Sequence, residues 1–234
     1  MNSVSIIIAV AFFLCVLVGW AKGLFKSILS VAGLVASIVV AVYVAPHVSG
    51  YLEKETQTDE KIATYISEKL EYSELGEDLS RSVQVSVINE LPLPEGLKSD
   101  ILDNNNSETY DLLEVSGVYD YIAKSVAVVI LNAAVFLVLM LICRLLFFVI
   151  SKKLGDLTKL PIVRSIDKIG GGCLGVIKGL IYIWLFFLLL SISSTLEWSR
   201  LVILQINDSP ILKLLYDNNI LLDIVGDLTK VIFR

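Results

Sequence analysis

Histidine is all but missing from this chain, cysteine is scarce and charge is thin. One histidine, three cysteines and five prolines occur among 234 residues, and only 18% of the residues are charged. A zinc site takes about four Cys, His or carboxylate ligands, and a histidine-based triad needs a histidine near a nucleophile. His47 stands alone after Pro46, at the end of an apolar block, and reads as a solvated boundary residue. Cys15, Cys143 and Cys173 lie in or at the edge of apolar blocks, where free cysteine behaves as a small hydrophobe, so no disulfide framework is visible. No Asp falls inside an apolar run and no nucleophile motif occurs, so no catalytic residue, metal or cofactor is expected. What the chain has in excess is apolar surface. Hydrophobic residues make up 56% and the mean hydropathy is +0.77, against about 45–50% in a soluble globule. The composition is that of an all-α integral membrane protein.

Four runs are long enough to cross a hydrocarbon core of about 30 Å. They are Asn2 to Gly19, Leu24 to Ala45 (closed by Pro46), about Ile122 to Ile150, and about Cys173 to Ser193. The first lacks the basic flank of a secretory signal, since Met1, Asn2 and Ser3 are uncharged while Lys22 and Lys26 follow it. It is read as a retained span. The turn 20–26 and the stretch 144–178 together hold nine Lys/Arg and two acids, Asp156 and Asp167, whereas the rest holds ten bases and twenty-two acids. By the positive-inside rule, the 20–26 turn and the 151–172 loop are predicted cytoplasmic. Both termini and the 46–121 segment are predicted outside.

The organisation that follows is a transmembrane hairpin (1–45), an acidic helical insert (46–121), a second pair of spans with a basic loop (122–193) and an amphipathic tail (194–234). In the insert, Ile62, Ile66 and Leu70 recur every four residues after Asp59, a candidate N-cap. Leu75, Leu79, Val83, Val87 and Leu91 keep that spacing until Pro92 and Pro94. The stretch Leu97 to Leu102 is a third short helix, ending at Asn104–Asn106. No calcium-loop spacing accompanies the acids. In the tail, Ser209–Pro210 marks a helix start. The tail either lies on the membrane or covers the insert; its excess of acids favours the second.

The most informative stretch is Leu160-Pro161-Ile-Val-Arg164-Ser-Ile-Asp167-Lys168-Ile-Gly170-Gly171-Gly172-Cys-Leu-Gly175-Val-Ile-Lys178-Gly179. Gly171, Gly175 and Gly179 stand four apart, a double GxxxG face on the fourth span that lets another helix approach closely. Gly19-Trp-Ala-Lys22-Gly23-Leu24 matches Gly175-Val-Ile-Lys178-Gly179-Leu180 at four of six positions, and the second span carries Gly33, Ser37, Ala41 and Ala45 at the same spacing. Spans two and four, with span one, are therefore expected to pack tightly near the basic loop. A bulky side chain at Gly175 should overpack that contact, and Ala there should be mild. A P-loop would need a preceding strand and Gly-Lys-Ser/Thr; here Gly179 follows Lys178 and no strand precedes. Arg164 and Asp167, three apart, are expected to pair locally. A headgroup or partner contact is the functional alternative for that pair.

At these residues the chain resembles the colicin V production protein (CvpA) family of bacterial inner-membrane proteins. The likeness rests on Gly-x-x-Lys-Gly-Leu at 19–24 and on Leu-Pro-x-x-Arg-x-x-Asp-Lys-x-Gly-Gly-x-x-Gly-x-x-Lys-Gly across 160–179. It implies a multi-span plasma-membrane protein linked to toxin production or export and envelope maintenance, with no established catalytic residues. The leading expectation is a non-enzymatic scaffold or accessory subunit embedded in the lipid bilayer, with other membrane or export proteins as partners and no nucleic acid. A homo-oligomer stays open. The competing reading is a small transporter or channel subunit. Such proteins place ionisable groups within the membrane, and here mid-span polarity is confined to Asn132, read as an interhelical hydrogen-bonding residue. Arg144 and Lys178 lie near span ends and can snorkel.

Overall fold

The computed structural model describes residues 2–69, 81–91, 93–115, 117–154, 164–194 and 196–232, and all regular structure among them is helical. Four helices are long and apolar enough to cross a membrane: α1 (Ser3–Lys22), α2 (Leu24–Thr56), and two formed by later segments, Val118–Leu154 and Arg164–Ile192. Between them come α3 (Thr58–Lys69), α4 (Arg81–Glu90), α5 (Glu95–Asp103) and α6 (Ser107–Leu113). The two later long helices are thus α7 and α8, followed by α9 (Glu197–Asn207), α10 (Pro210–Asp217) and α11 (Ile220–Ile232). The start of the α4 stripe, Leu70, Leu75 and Leu79, and Pro92 lie outside the described residues.

Asn2 starts α1: its side-chain oxygen accepts from the Ser5 amide at 2.9 Å and the Ser5 hydroxyl at 2.7 Å, an N-cap that satisfies an orphan donor. A single residue, Gly23, then separates α1 from α2. Pro46 does not close the second span as its position predicts. It lies inside α2, which continues ten residues further to Thr56. Proline removes one amide from the ladder. Helices in lipid tolerate such a gap, and the turn after Pro46 carries an extra bond from the buried Ser49 hydroxyl to the Ala45 carbonyl at 2.9 Å. The exposed His47 therefore sits on a helix, not after one.

At 33 residues α2 is about 50 Å long, well beyond a hydrocarbon core, and α7 at 37 residues is longer still. Their surplus turns carry the insert. Ile66 of α3, Val87 and Ile88 of α4, Leu97 and Ile101 of α5 and Leu113 join Tyr121, Ile122, Leu222 and Val225 in one buried cluster that runs on into Leu131, Ala133 and Phe136 of α7. Tyr121 donates to the Ile101 carbonyl at 2.8 Å. Asp59 is not a cap: it falls within the first turn of α3, is 7% exposed, and its carboxylate meets Lys124 of α7 at 2.6 Å.

The tail divides its contacts. α9 and α10 pack on α1 and α8 through Val4, Ile8, Phe187, Leu190, Ile203, Ile206, Leu212 and Tyr216. Their outer face leaves Trp198, Leu201, Leu204, Ile211 and Leu214 exposed. α11 reaches α7, α2 and α5. There Gly226 faces Leu97 and Asp100, with 3.5 Å left for a Cβ.

Candidate functional site: the glycine-lined junction at the basic end

α1 runs along α8 with almost nothing between the two backbones. A Cβ built on Gly175 would stand 2.6 Å from the Cys15 carbonyl oxygen and 2.8 Å from the Val16 Cα. One on Gly19 would strike the Gly171 carbonyl and come 2.9 Å from the Gly175 Cα, and one on Gly171 would strike the Gly19 carbonyl. Gly179 makes room for the Phe12 ring, 2.7 Å from a built Cβ. The glycine face of α8 is thus taken mainly by span one, which brings its own glycine to the crossing, while span two meets α8 at its start, where Gly171 abuts Gly23 and Gly170 abuts Leu24. α2 turns its small face elsewhere: Gly33 lies against α7, with Arg144 Nη1 and Phe147 Cβ at 3.2 and 3.5 Å from a built Cβ. Ser37, Ala41, Ala45 and Ser49 below it are fully buried. The expected mildness of Ala at Gly175 does not hold either, since the obstructing atoms are backbone and cannot rotate away.

Gly23 has φ +78° and ψ 173°, a region that L side chains avoid. The space over it is filled by the Asp167 carboxylate, whose Oδ1 accepts from the Leu24 amide at 2.8 Å. Asp167 therefore caps α2 from the first turn of α8, supplying from across the bundle the acceptor that a glycine N-cap lacks. A carboxylate there also suits the positive end of the helix dipole. The expected local Arg164–Asp167 pairing falls on a side chain outside the described residues. Arg164 opens α8, and Pro161 likewise lies outside the described residues. Lys168 is half-buried one residue further along α8.

Three cations converge beside this turn. Lys178 Nζ donates to the Ser30 hydroxyl oxygen at 2.9 Å. Arg144 reaches from α7 across Gly33 to the same residue, donating to its carbonyl at 3.2 Å and its hydroxyl oxygen at 3.3 Å. Lys22 lies within the electrostatic field of both. The Lys178 ammonium also sits 5.4 Å from the Tyr182 ring centroid, a cation–π arrangement. Among the described residues, the ion pairs are Lys98–Glu95, Lys124–Asp59 and Lys213–Asp217, and none of these three cations takes part. Arg144 and Lys178 are half-buried and point to Ser30, so snorkelling describes them only in part. Sequence reasoning missed Ser30 altogether. The signal for a partner was the apolar run Leu145–Ile150 beyond Arg144, which places the guanidinium inside the span, where charge needs company.

No group of three or more metal-ligating side chains occurs among the described residues. The arrangement joins helices and gathers positive charge at one end. Its class is that of an all-helical, multi-pass membrane protein whose first and last long helices are joined by glycine contacts. The model of the colicin V production protein family matches residues 4–69 and 115–219, and the chain belongs to that family. Gly19, Gly23, Ser30, Gly33, Arg144, Asp167, Gly171, Gly175, Lys178 and Gly179 all fall within the matched stretches. The unmatched 70–114 contains α4, α5 and α6. No curated protein and no solved structure matches the chain.

Proposed function

We propose that the protein is a non-enzymatic scaffold or accessory subunit for the production or export of a colicin V-like toxin, with a share in maintaining the envelope. The +7 side, with the 151–172 loop, faces the cytoplasm of a bacterial plasma membrane in this reading, and both termini face out. Partners are other membrane or export proteins, or further copies of the chain. The observation that carries it is how interior polarity is used. The buried Ser27, Ser37, Ser49 and Ser191 hydroxyls donate to the backbone carbonyls of Gly19, Gly33, Ala45 and Phe187. Asp167 ties α8 to α2, and Asn219 donates to the Trp184 carbonyl at 3.0 Å. Ser37, Ser49 and Ser191 satisfy carbonyls one turn back in their own helices, whereas Ser27, Asp167 and Asn219 join two helices. Polar groups spent within the framework suit a scaffold better than a conduction path, which must leave groups free to receive a solute.

The test pairs two measurements. Purified protein in sealed vesicles should carry no ion or solute flux. In cells, site-specific crosslinking from the basic loop should trap a defined membrane partner, and K152E/K153E/K159E should abolish that crosslink without lowering abundance. Robust flux in vesicles would overturn the scaffold in favour of a channel or carrier subunit.

A further inference from the structure

Arg144 and Lys178 have neutral partners, and none of the three cations pairs with a carboxylate among the described residues, which leaves an unfinished electrostatic arrangement. Like charges brought together at a low-dielectric edge repel, and the Ser30 oxygens and the Tyr182 ring disperse that charge without cancelling it. An open cleft of about 240 Å³ lies at this place, bounded by α1, α2 and α8 and lined by Lys22, Ser30, Lys178 and Tyr182. A second cleft, of about 370 Å³, follows α1 and α8 away from the basic end, from Cys15 and Gly179 past Phe12 and Ile8 to Val4. The two clefts share Cys15 and Tyr182 in their walls. The second is almost wholly apolar. Both open onto the lipid-facing side of the bundle, where Leu14 and Ile7 are exposed.

The dimensions fit one kind of occupant. From Lys22 to Ala11 the helix rises about 16 Å, close to the depth of one leaflet, about half of a 30 Å core. A charged end at the membrane edge thus leads into an apolar groove that reaches one leaflet's depth at Ala11 and runs on toward Val4. We propose that these clefts bind one anionic phospholipid of the leaflet at the basic end. Its phosphate is held by Lys22 and Lys178, with Arg144 adding positive charge from behind Ser30, and one acyl chain lies along α1 and α8. Phosphate oxygens accept charge-assisted bonds from Arg and Lys, and basic pockets between spanning helices are suited to acidic headgroups. The glycine contact shapes the first cleft: bare backbones meet at Gly19, Gly171 and Gly175, and Gly19 and Gly175 form part of its lining. The inference stands apart from the scaffold reading, since carriers and scaffolds alike can hold a structural lipid.

The experiment uses the full chain in nanodiscs and detergent. Native mass spectrometry after transfer from phosphatidylglycerol nanodiscs should show one lipid retained per chain, and added phosphatidylglycerol should raise the melting temperature in detergent. Phosphatidylcholine should do neither. K22Q/K178Q should weaken retention about fivefold for each cation removed, with an unchanged lipid-free melt. Ala11→Phe, which fills the apolar groove but touches no cation, should weaken it too, and that arm does not depend on the charge variant folding. Equal retention of phosphatidylcholine would overturn the headgroup assignment. Stabilisation by inorganic phosphate matching that by the lipid would make the site one for a free anion and overturn the lipid. Unaltered phosphatidylglycerol retention by K22Q/K178Q or by Ala11→Phe would also overturn it.

Discussion

The two ends of the bundle treat buried charge in opposite ways. At the insert end, Lys124 meets Asp59 at 2.6 Å, with side chains only 16% and 10% exposed. At the basic end, the half-buried Arg144 and Lys178 meet on Ser30 with the exposed Lys22 beside them, and none of the three pairs with a carboxylate among the described residues. A paired charge at a helix junction fixes geometry: α3 cannot slide along α7 without uncovering one partner. A group of unpaired charges fixes nothing by itself and is costly to hold. The first arrangement is complete within the chain, whereas the second invites something from outside.

The largest effect expected from this contrast is at the paired end. Lys124→Met strands the Asp59 carboxylate in the core and should cost about 3–5 kcal/mol, the usual result of removing one member of a buried pair. Adding Asp59→Leu should restore most of it. Thermal unfolding of both variants in detergent measures the difference, and an equally unstable double variant would show that the pair does more than neutralise itself. Next comes the glycine crossing. Gly175→Leu should lose on the order of 1–3 kcal/mol from overpacking, and Gly175→Ala should be clearly destabilised as well. Gly33→Ala should be tolerated, because the atom it meets is the end of the flexible Arg144 side chain at 3.2 Å. Melting the three side by side decides whether backbone or side-chain obstruction governs.

A smaller loss is expected at the cap. Asp167→Ala should cost about 1 kcal/mol, and Asp167→Asn, which keeps the acceptor for the Leu24 amide, about half as much or less; hydrogen exchange at the start of α2 reports it directly. The smallest effect is silent at neutral pH. Burial pushes the Tyr216 phenol up to about 12, while an unfolded tyrosine ionises near 10. The folded state keeps a proton that the unfolded chain gives up. This contribution is full below pH 10 and is lost as the pH climbs through about 12. Melting temperatures across that range should fall less steeply for Tyr216→Phe than for the wild-type chain.

The spans were legible because period and length leave little choice: an uncharged stretch such as Val4 to Val18 has no other stable home. The glycine faces at 171, 175 and 179 were legible for the same reason, since their spacing puts them on one stripe. How the stripe is shared was not: Gly175 and Gly179 meet α1, whereas Gly170 meets Leu24 of α2. Asp167 was read through its sequence neighbour Arg164, and the amide it caps, that of Leu24, stands 143 positions away. Pairings across a bundle depend on which helices become adjacent, and local spacing does not encode that. Pro46 misled because proline stops soluble helices more firmly than membrane ones.

The Asp167 cap also sets an order of assembly. Gly23 and Leu24 leave the ribosome long before Asp167 is made. At about 5–20 residues per second, the interval is roughly ten to thirty seconds. During that time the first hairpin has a one-residue turn with its leading amide unsatisfied and its Gly19 face bare. Arrival of α8 closes both at once, laying Gly171 and Gly175 against α1 and a carboxylate over the turn. The last long helix to be synthesised therefore acts as the latch on the first, and a chain truncated before residue 164 would hold a hairpin that has entered the membrane without ever locking.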